Sequence, residues 1–208
     1  MAMLAIGLAV SLTACTPPNG AVGDTQSQDS AVAHVGPDRA DTKVAFIGSQ
    51  DIDADGLVLD AMEQGKLKPT YVPVAGTIDA QQTAIQGVRD MTQSKVGIIV
   101  IGGMDVTDAN RDDWHAALQG AREAGIAVAL LNPVQAPKDG KLYAAVLTIN
   151  DRMADAVPIA DAVMTIGNND PHERDMVVTT KITNMAFAAS RHMVVISPCF
   201  HRKVPAWI

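Results

Sequence analysis

The chain has 208 residues and a formal net charge of −7, enough residues for one domain of ordinary size and an acidic balance that argues against nucleic-acid binding. Its two cysteines, Cys15 and Cys199, do not fit a metal-ligand spacing, because Cys199 with His201 would offer only two ligands. We therefore expect neither a metal site nor a cofactor.

The N-terminal segment is apolar and ends in a cysteine. The run MAMLAIGLAV has about the length of the apolar part of a signal peptide and is too short to span a bilayer. Leu12-Thr13-Ala14-Cys15 resembles a bacterial lipobox, in which the cysteine carries lipid. This predicts a signal peptide over residues 1–14, a lipid anchor at Cys15 and an extracytoplasmic, membrane-attached location. Because no Lys or Arg precedes Arg39, the alternatives are a start upstream of Met1, a weak signal or a buried apolar segment.

The composition changes twice after the cysteine. Residues 15–41 are rich in Gly, Ser, Asp, Gln, Thr and Pro, which predicts a flexible tether. Over residues 42–180 short apolar runs alternate with helical patterns, which predicts an α/β domain with a parallel, Rossmann-like sheet flanked by helices. Residues 181–208 contain no acidic residue and form an irregular tail in this prediction. They either include one more strand at Met193–Ser197 or result from a frameshift.

Six strands and four helices are predicted in the domain. The strands are Val44–Gly48, Thr70–Val74, Val96–Ile101, Ile126–Leu131, Leu142–Ile149 and Met176–Thr180. Three helices begin at acidic caps, which are Asp53 or Asp55, then Asp79, then Asp108. A fourth helix spans Met153–Ile166, and Pro158 is expected to break or kink it. The predicted apolar helix faces are Leu57, Val58, Ala61 and Met62; Ala84, Ile85, Val88 and Met91; and Trp114, Ala117, Leu118 and Ala121.

Polar residues follow several of these strands, at the edge where parallel α/β sheets bind ligands. They are Ser49, Gln50, Asp51, Asp105, Asn132, Asn150 and Asp151. Asp and Asn also favour these positions as helix caps and turn formers, so each residue has a purely structural alternative.

Sequence features of enzymes are missing from the chain. It has no G-x-S-x-G nucleophile elbow, and Gly102-Gly103 does not fit a phosphate-binding glycine loop. His172 lies among acidic residues, an arrangement that acid–base chemistry can use, but the segment is more typical of an exposed turn. We therefore predict a protein that is not an enzyme.

Three segments resemble the first lobe of type I periplasmic binding proteins of the sugar-binding kind. They are Ile78–Ile85, Val96–Val100 and Trp114–Val128, and the resemblance covers Lys43 to Asp151. Ala127 stands where the family usually has proline. The resemblance implies that the seven polar residues above contact ligand hydroxyls. It also implies a second lobe, which we predict to be missing or truncated here.

The resemblance and the lipobox together imply a lipid-anchored solute-binding protein, or its N-terminal lobe, that delivers a sugar or similar hydroxylated molecule to an ABC permease. The alternative is a single-lobe surface lipoprotein that acts as an interaction or sensory module. A LacI-type regulator shares the lobe but is disfavoured, because the lipobox and tether stand where its DNA-binding helices would be.

Overall fold

The computed structural model describes residues 20–26 and 38–181, and within these ranges the chain forms seven strands and four helices. The strands are β1 (Val44–Ile47), β2 (Thr70–Val72), β3 (Ile98–Gly102), β4 (Ala127–Leu131), β5 (Ala145–Ile149), β6 (Val157–Pro158) and β7 (Asp175–Thr179). The helices are α1 (Ile52–Gln64), α2 (Ala80–Gln93), α3 (Arg111–Glu123) and α4 (Ile159–Gly167). The predicted signal peptide, Cys15, Cys199 and the strand at Met193–Ser197 lie outside the described residues.

All the strands pair in parallel, in the order β2-β1-β3-β4-β5-β7-β6. The chain runs outward from β1 to β2 and then returns past β1 to β3, so the direction of winding reverses between β1 and β3. In sheets of this type the loops at that reversal separate and leave a crevice at the carboxyl edge. The predicted fold class, a parallel sheet flanked by helices, is confirmed.

The central strands are buried on both faces because helices cover each side of the sheet. Alternate residues of β1 point to opposite layers: Val44 and Phe46 pack with α1 and α4, whereas Ala45 and Ile47 pack with α2 and α3. This arrangement explains why the sequences VAFI, IIVIG and AVALL are continuous apolar runs without polar alternation.

The helix starts differ from the prediction at two sites. Asp51 caps α1, since its backbone is extended and its side chain accepts a bond from the Ala54 N–H; Asp53 and Asp55 lie inside the first turn. Asp108 does not cap α3, because the cap position is Asn110, whose side chain accepts from Thr107 N–H instead. The prediction for Asp79 as the cap of α2 is confirmed, and Gly65 is the C-cap of α1.

Several element bounds also differ. The fourth helix begins only at Ile159, because Pro158 lacks an N–H and suits a helix start better than an interior. Strand β5 begins at Ala145, after a 3₁₀ turn at Gly140–Leu142. Leu57, predicted on the buried face of α1, is 58% exposed, whereas Trp114 is buried in the core as predicted.

Residues 20–26 pack against the lobe, although their composition predicts a tether. Asp24 forms an ion pair of 2.6 Å with Arg174, and Ala21 is buried. The ring of His172 is also buried, contrary to the exposed turn expected there. Its nitrogens lie 2.8 Å from Glu173 O and 2.6 Å from Gly23 O. Both partners are backbone carbonyl oxygens, and the contact with Gly23 O joins residues 20–26 to the loop before β7.

Candidate functional site

A cleft of about 220 Å³ opens at the reversal between β1 and β3. We call it the carboxyl-edge cleft, because the loops that follow β1, β3 and β4 and the last residue of β5 contribute to its walls. The lining residues are Ser49, Asp51, Ala54, Asp55, Val58, Gly102, Gly103, Leu131, Asn132 and Ile149. Three of the seven predicted ligand residues, Ser49, Asp51 and Asn132, are therefore brought together.

The loop after β1 is folded around its own polar groups. The Ser49 hydroxyl accepts from the Asp51 N–H at 3.1 Å, and Asp51 Oδ1 accepts from the Ala54 N–H at 3.0 Å to cap α1. The cap uses one carboxylate oxygen, and Asp51 Oδ2 has no donor among the residues that the structure describes. Asp51 therefore caps the helix, which is the structural role considered for it above, and its Oδ2 still offers an acceptor to the cleft.

Asp55 is the cleft residue whose position sequence reasoning missed. It is 3% exposed and accepts from the Ser49 N–H at 2.8 Å, the Ser49 hydroxyl at 2.8 Å and the Tyr71 hydroxyl at 2.8 Å. A carboxylate one helical turn beyond the cap points back toward the preceding loop, and this spacing is the signal that could have found it. These bonds fix the β1–α1 loop beside β2.

Tyr71 shows the electrostatic effect of this carboxylate. Burial, together with the hydrogen bond to Asp55 and its negative charge, raises the pKa of the Tyr71 phenol to about 12. The phenol therefore stays protonated and donates to Asp55 throughout the neutral range.

Gly102 and Gly103 line the cleft, and Gly48 precedes Ser49 in the β1–α1 loop. A Cβ on Gly48 would lie 2.4 Å from Asp55 Oδ2 and 2.8 Å from the Tyr71 ring. Gly103 has a φ of +60°, a conformation that L side chains rarely adopt. A Cβ on Gly102 would lie 3.3 Å from Ser49 N, and one on Gly103 would lie 3.2 Å from Ser49 Cβ, so main chain forms this part of the cleft wall.

Asn132 forms the opposite side of the cleft with a left-handed backbone (φ 44°). Its Oδ1 accepts from the Ile149 N–H at 2.9 Å, and its own N–H donates to Leu147 O at 2.8 Å. The side chain thereby links the ends of β4 and β5. Its Nδ2 group has no acceptor among the described residues and is free to donate to a ligand.

The other four predicted residues do not line the cleft. Gln50 is exposed, and Asp105 pairs through its backbone with Gln135. Asn150 accepts from the Arg152 N–H at 3.1 Å and so closes its own turn.

Asp151 is held by the end of β7. Its Oδ1 accepts from Thr179 Oγ1 and the Thr180 N–H, each at 2.8 Å, and its Oδ2 accepts from Thr180 Oγ1 at 2.7 Å. Burial alone would raise the pKa of Asp151, but these bonds and the charge of Lys181 outweigh it and lower the pKa below the usual range. The carboxylate is thus engaged in joining the β5 loop to β7.

The charges around the cleft select against anions. Its lining contains the carboxylates of Asp51 and Asp55 and neither Lys nor Arg. The helix α1 begins here, but Asp51, Asp53 and Asp55 already offset the partial positive charge of its N-terminus. A phosphate or carboxylate would meet like charge, whereas a neutral molecule with hydroxyl donors would find acceptors.

Neither a metal centre nor a membrane span is found in the part of the chain that the structure describes. Within it, no group of three or more His, Cys, Asp or Glu side chains is placed to hold a metal ion. No helix there is long and apolar enough to cross a membrane.

Comparison with known proteins shows that the chain resembles solved structures in its fold but not in its sequence. No protein-family model matches the chain, and no curated protein matches it in sequence. A Mycobacterium smegmatis protein in complex with β-D-fucofuranose matches 66% of this chain at 14% identity and a TM-score of 0.44. The periplasmic binding protein component of the arabinose ABC transporter from Shewanella sp. ANA-3, bound to α- and β-L-arabinofuranose, matches 67% at 16% identity and a TM-score of 0.41.

A third match is a pilus assembly-related protein from Burkholderia pseudomallei K96243, with 15% identity over 64% of this chain and a TM-score of 0.41. The chain covers 94% of that protein, but only 54% and 56% of the two sugar complexes. It therefore spans about half the length of the sugar-bound proteins. Likeness at this level concerns the α/β fold and does not identify a ligand.

Proposed function

We propose that the carboxyl-edge cleft binds a neutral, hydroxyl-rich small molecule, a sugar or a close analogue, and that the chain is the binding lobe of an extracytoplasmic solute-binding protein. The observation that carries the proposal is the pair of unused groups in the cleft. Asp51 Oδ2 can accept and Asn132 Nδ2 can donate, and each side chain is held in place by a hydrogen bond that its Oδ1 accepts from the backbone. Rigid, paired donors and acceptors suit neighbouring hydroxyls.

The acidity of the cleft supports a neutral ligand over a phosphorylated one. Two carboxylates and no Lys or Arg line it, so a sugar phosphate would bring its negative charge next to Asp51 and Asp55.

Delivery to an ABC permease and attachment to the membrane through Cys15 are further parts of this proposal. They rest on the lipobox-like sequence and on the resemblance of Lys43–Asp151 to sugar-type binding lobes. In such proteins a second lobe closes over the ligand.

Exposed apolar side chains at the carboxyl edge favour a second candidate function, an interaction or sensory module. Ile52, Ile78 and Val134 follow β1, β2 and β4 and are 65%, 109% and 76% exposed. We call these three residues the apolar rim. Large apolar groups on a rim suit contact with another protein surface. Both candidates use this edge, but only the first requires a captured solute.

Isosteric substitutions in the cleft test the proposal without removing structural bonds. Asp51→Asn keeps a cap of equal quality but replaces an acceptor with a donor. Asn132→Asp keeps the acceptor for the Ile149 N–H but removes the donor. The matched control is Asp79→Asn, since Asp79 caps α2 in the same way, with Oδ1 accepting from the Gln82 N–H at 3.0 Å, outside the cleft.

The measurement is the thermal unfolding midpoint with a panel of neutral aldoses, including L-arabinose and D-galactose. A bound sugar at 100 times its Kd adds about 2.7 kcal/mol to the free energy of unfolding, so the midpoint rises for the unmodified chain and for Asp79→Asn. We expect Asp51→Asn and Asn132→Asp to lose that rise. A chain stabilised by none of the sugars, whose self-association or partner binding depends on Ile78, would favour the interaction module instead.

A further inference from the structure

Residues 20–26, which we call the strap, lie at the amino edge of the sheet, the edge at which the strands begin. A Cβ on Gly23 would lie 3.1 Å from the Cβ of Ala127, the first residue of β4, and 2.8 Å from Ile166 O, near the end of α4. Because each helix returns the chain to the start of the next parallel strand, helix ends and strand starts share one edge. The strap and the carboxyl-edge cleft are therefore at opposite edges of the sheet.

Contacts along its length hold the strap in place. Ala21 is 3% exposed, so the strap is packed as well as hydrogen-bonded. Its polar partners lie near the end of α3 or in the loop between α4 and β7, which are both at the amino edge. The contacts join Arg122 Nε to Gly20 O at 3.3 Å, Arg174 to Asp24 at 2.6 Å, and Thr25 Oγ1 to Asp170 O at 2.6 Å.

The docked strap shortens the connection between the lobe and Cys15. Composition alone predicts a tether over residues 15–41, but with Gly20 held at the lobe only residues 16–19 lie between. The chain from Cys15 to Gly20 reaches at most about 17 Å. A compact domain of this size is about 40 Å across, so this connection is too short to bring the carboxyl edge against a membrane that holds Cys15.

We propose that the strap holds the lobe with its amino edge toward the membrane and the carboxyl-edge cleft away from it. The inference rests on the lipid anchor proposed at Cys15. In this orientation the cleft faces the surrounding medium and captures solute from it.

Release of the strap gives the lobe the opposite orientation. Delivery to a permease requires the cleft to turn toward the membrane, because the solute has to leave in that direction. Residues 16–37 then connect Cys15 to Asp38, and a chain of this length reaches up to about 75 Å, which exceeds the width of the lobe. Docking and release of the strap thus separate capture from delivery.

Gly23→Leu is designed to release the strap while leaving the rest of the lobe unchanged. Gly23 has a φ of +81°, and a side chain there would collide with Ile166 O. The matched control is Gly76→Leu, which has a similar φ of +76° in the loop between β2 and α2, where no described atom lies within 4 Å of a Cβ. The double variant Asp24→Ala, Thr25→Ala is a second way to release the strap, because it removes two of its side-chain contacts. Circular dichroism confirms that each variant is folded.

Dyes at the two ends of β4 report the orientation of the lobe. Ala124→Cys and Val134→Cys, each in a Cys199→Ser background, place a fluorescent label at an exposed position before or after the strand. The acylated chain, identified by its mass, is reconstituted in phosphatidylcholine vesicles that carry a nitroxide on the headgroup, which quenches dyes close to the membrane surface. We expect strong quenching at position 124 and quenching near background at position 134. Gly23→Leu and the double variant should reduce this difference, and Gly76→Leu should preserve it.

Equal quenching at the two positions of the unmodified chain, or stronger quenching at position 134, would overturn the proposal. An unchanged difference in both strap variants would also overturn it, because the orientation would then not depend on the strap. A chain that carries no acyl group at Cys15 would exclude the anchor, and this inference with it. Sugar binding is measured on the chain without lipid, so failure of the cleft, of the anchor and of the strap are distinguishable.

Discussion

Asp55 determines the shape of the cleft at the scale of single residues. Its carboxylate holds the Ser49 loop and the Tyr71 hydroxyl together, although the three residues come from β1's loop, α1 and β2. A buried carboxylate is stable here because three donors satisfy it. Loss of one donor would therefore affect both the loop and the helix start.

Tyr71 is expected to make stability fall at alkaline pH. Its pKa is about 12 in the folded chain and 10.0 in a free phenol, so the unfolded state releases its proton first. The stabilising contribution is complete below pH 10 and is lost progressively as the pH rises toward 12. Denaturant unfolding across this range should show that decline in the unmodified chain and a smaller one in Tyr71→Phe. An equal decline in both would contradict this role of the phenol.

The sequence predicts where polar groups follow the strands but not how each is used. Strand ends are recognisable because apolar runs stop there, so Ser49, Asp51 and Asn132 were found. The roles of Asp55 and His172 depend on partners that are remote in sequence or brought in by packing, namely Tyr71 and Gly23. Local patterns carry no information on such contacts. For the same reason only the folded chain shows that the buried Trp114 indole N–H has no acceptor among the described residues.

At the scale of elements, the contact between α1 and α4 is close enough to require glycine. A Cβ on Gly65, at the C-cap of α1, would lie 2.2 Å from the Cβ of Ala160 in α4. Gly56, in the middle of α1, has no atom within 4 Å of the same position. A methyl group would therefore clash with α4 at Gly65 but would meet no atom within 4 Å at Gly56.

Opposite effects are expected from alanine at these two positions. Gly56→Ala should stabilise the chain by about 0.5–1 kcal/mol, because alanine favours the helix interior. Gly65→Ala should destabilise it by about 1–3 kcal/mol, because α4 has to move. Urea unfolding of the two variants measures both changes. If Gly65→Ala is as stable as Gly56→Ala, the helices are not packed as closely as described.

Element types follow from the sequence more reliably than element bounds. Continuous apolar runs identify β1, β3 and β4 because both faces of the sheet are covered. The start of α1 was predicted two to four residues too late, since three aspartates compete for the cap and only Asp51 has the extended backbone that capping requires. Strand β6 has two residues and no periodicity to detect.

At the scale of the whole molecule, residues 20–26 are attached to the lobe by several contacts, and Arg174 forms the ion pair among them. This side chain pairs with Asp24, donates to Gly140 O at 2.6 Å and lies over the Tyr143 ring at 4.6 Å. Asp24 is 5% exposed in its side chain, so it depends on that partner. Residues 20–26 of the predicted tether therefore pack against the folded lobe.

Arg174→Met is expected to destabilise the chain by about 3 kcal/mol, because it leaves a buried carboxylate without its cation. The matched control is Arg89→Met. The ion pair of Arg89 with Asp113, at 3.4 Å, is more exposed, so its loss should lower the free energy of unfolding by only about 0.5 kcal/mol. Chemical unfolding gives both values. Asp24→Asn should recover part of the loss in the Arg174→Met background, and no recovery would mean that the ion pair is not the dominant contribution.

The central claim is that the carboxyl-edge cleft binds a neutral polyol, and an amide shift map tests it most directly. The protein is titrated with L-arabinose and, separately, with the anion L-arabinonate, while ¹H–¹⁵N signals are followed. We predict saturable shifts at Ser49, Gly102, Gly103 and Asn132 with the neutral sugar and much weaker ones with the anion. Shifts that are absent, scattered over the surface or larger with the anion would contradict the account.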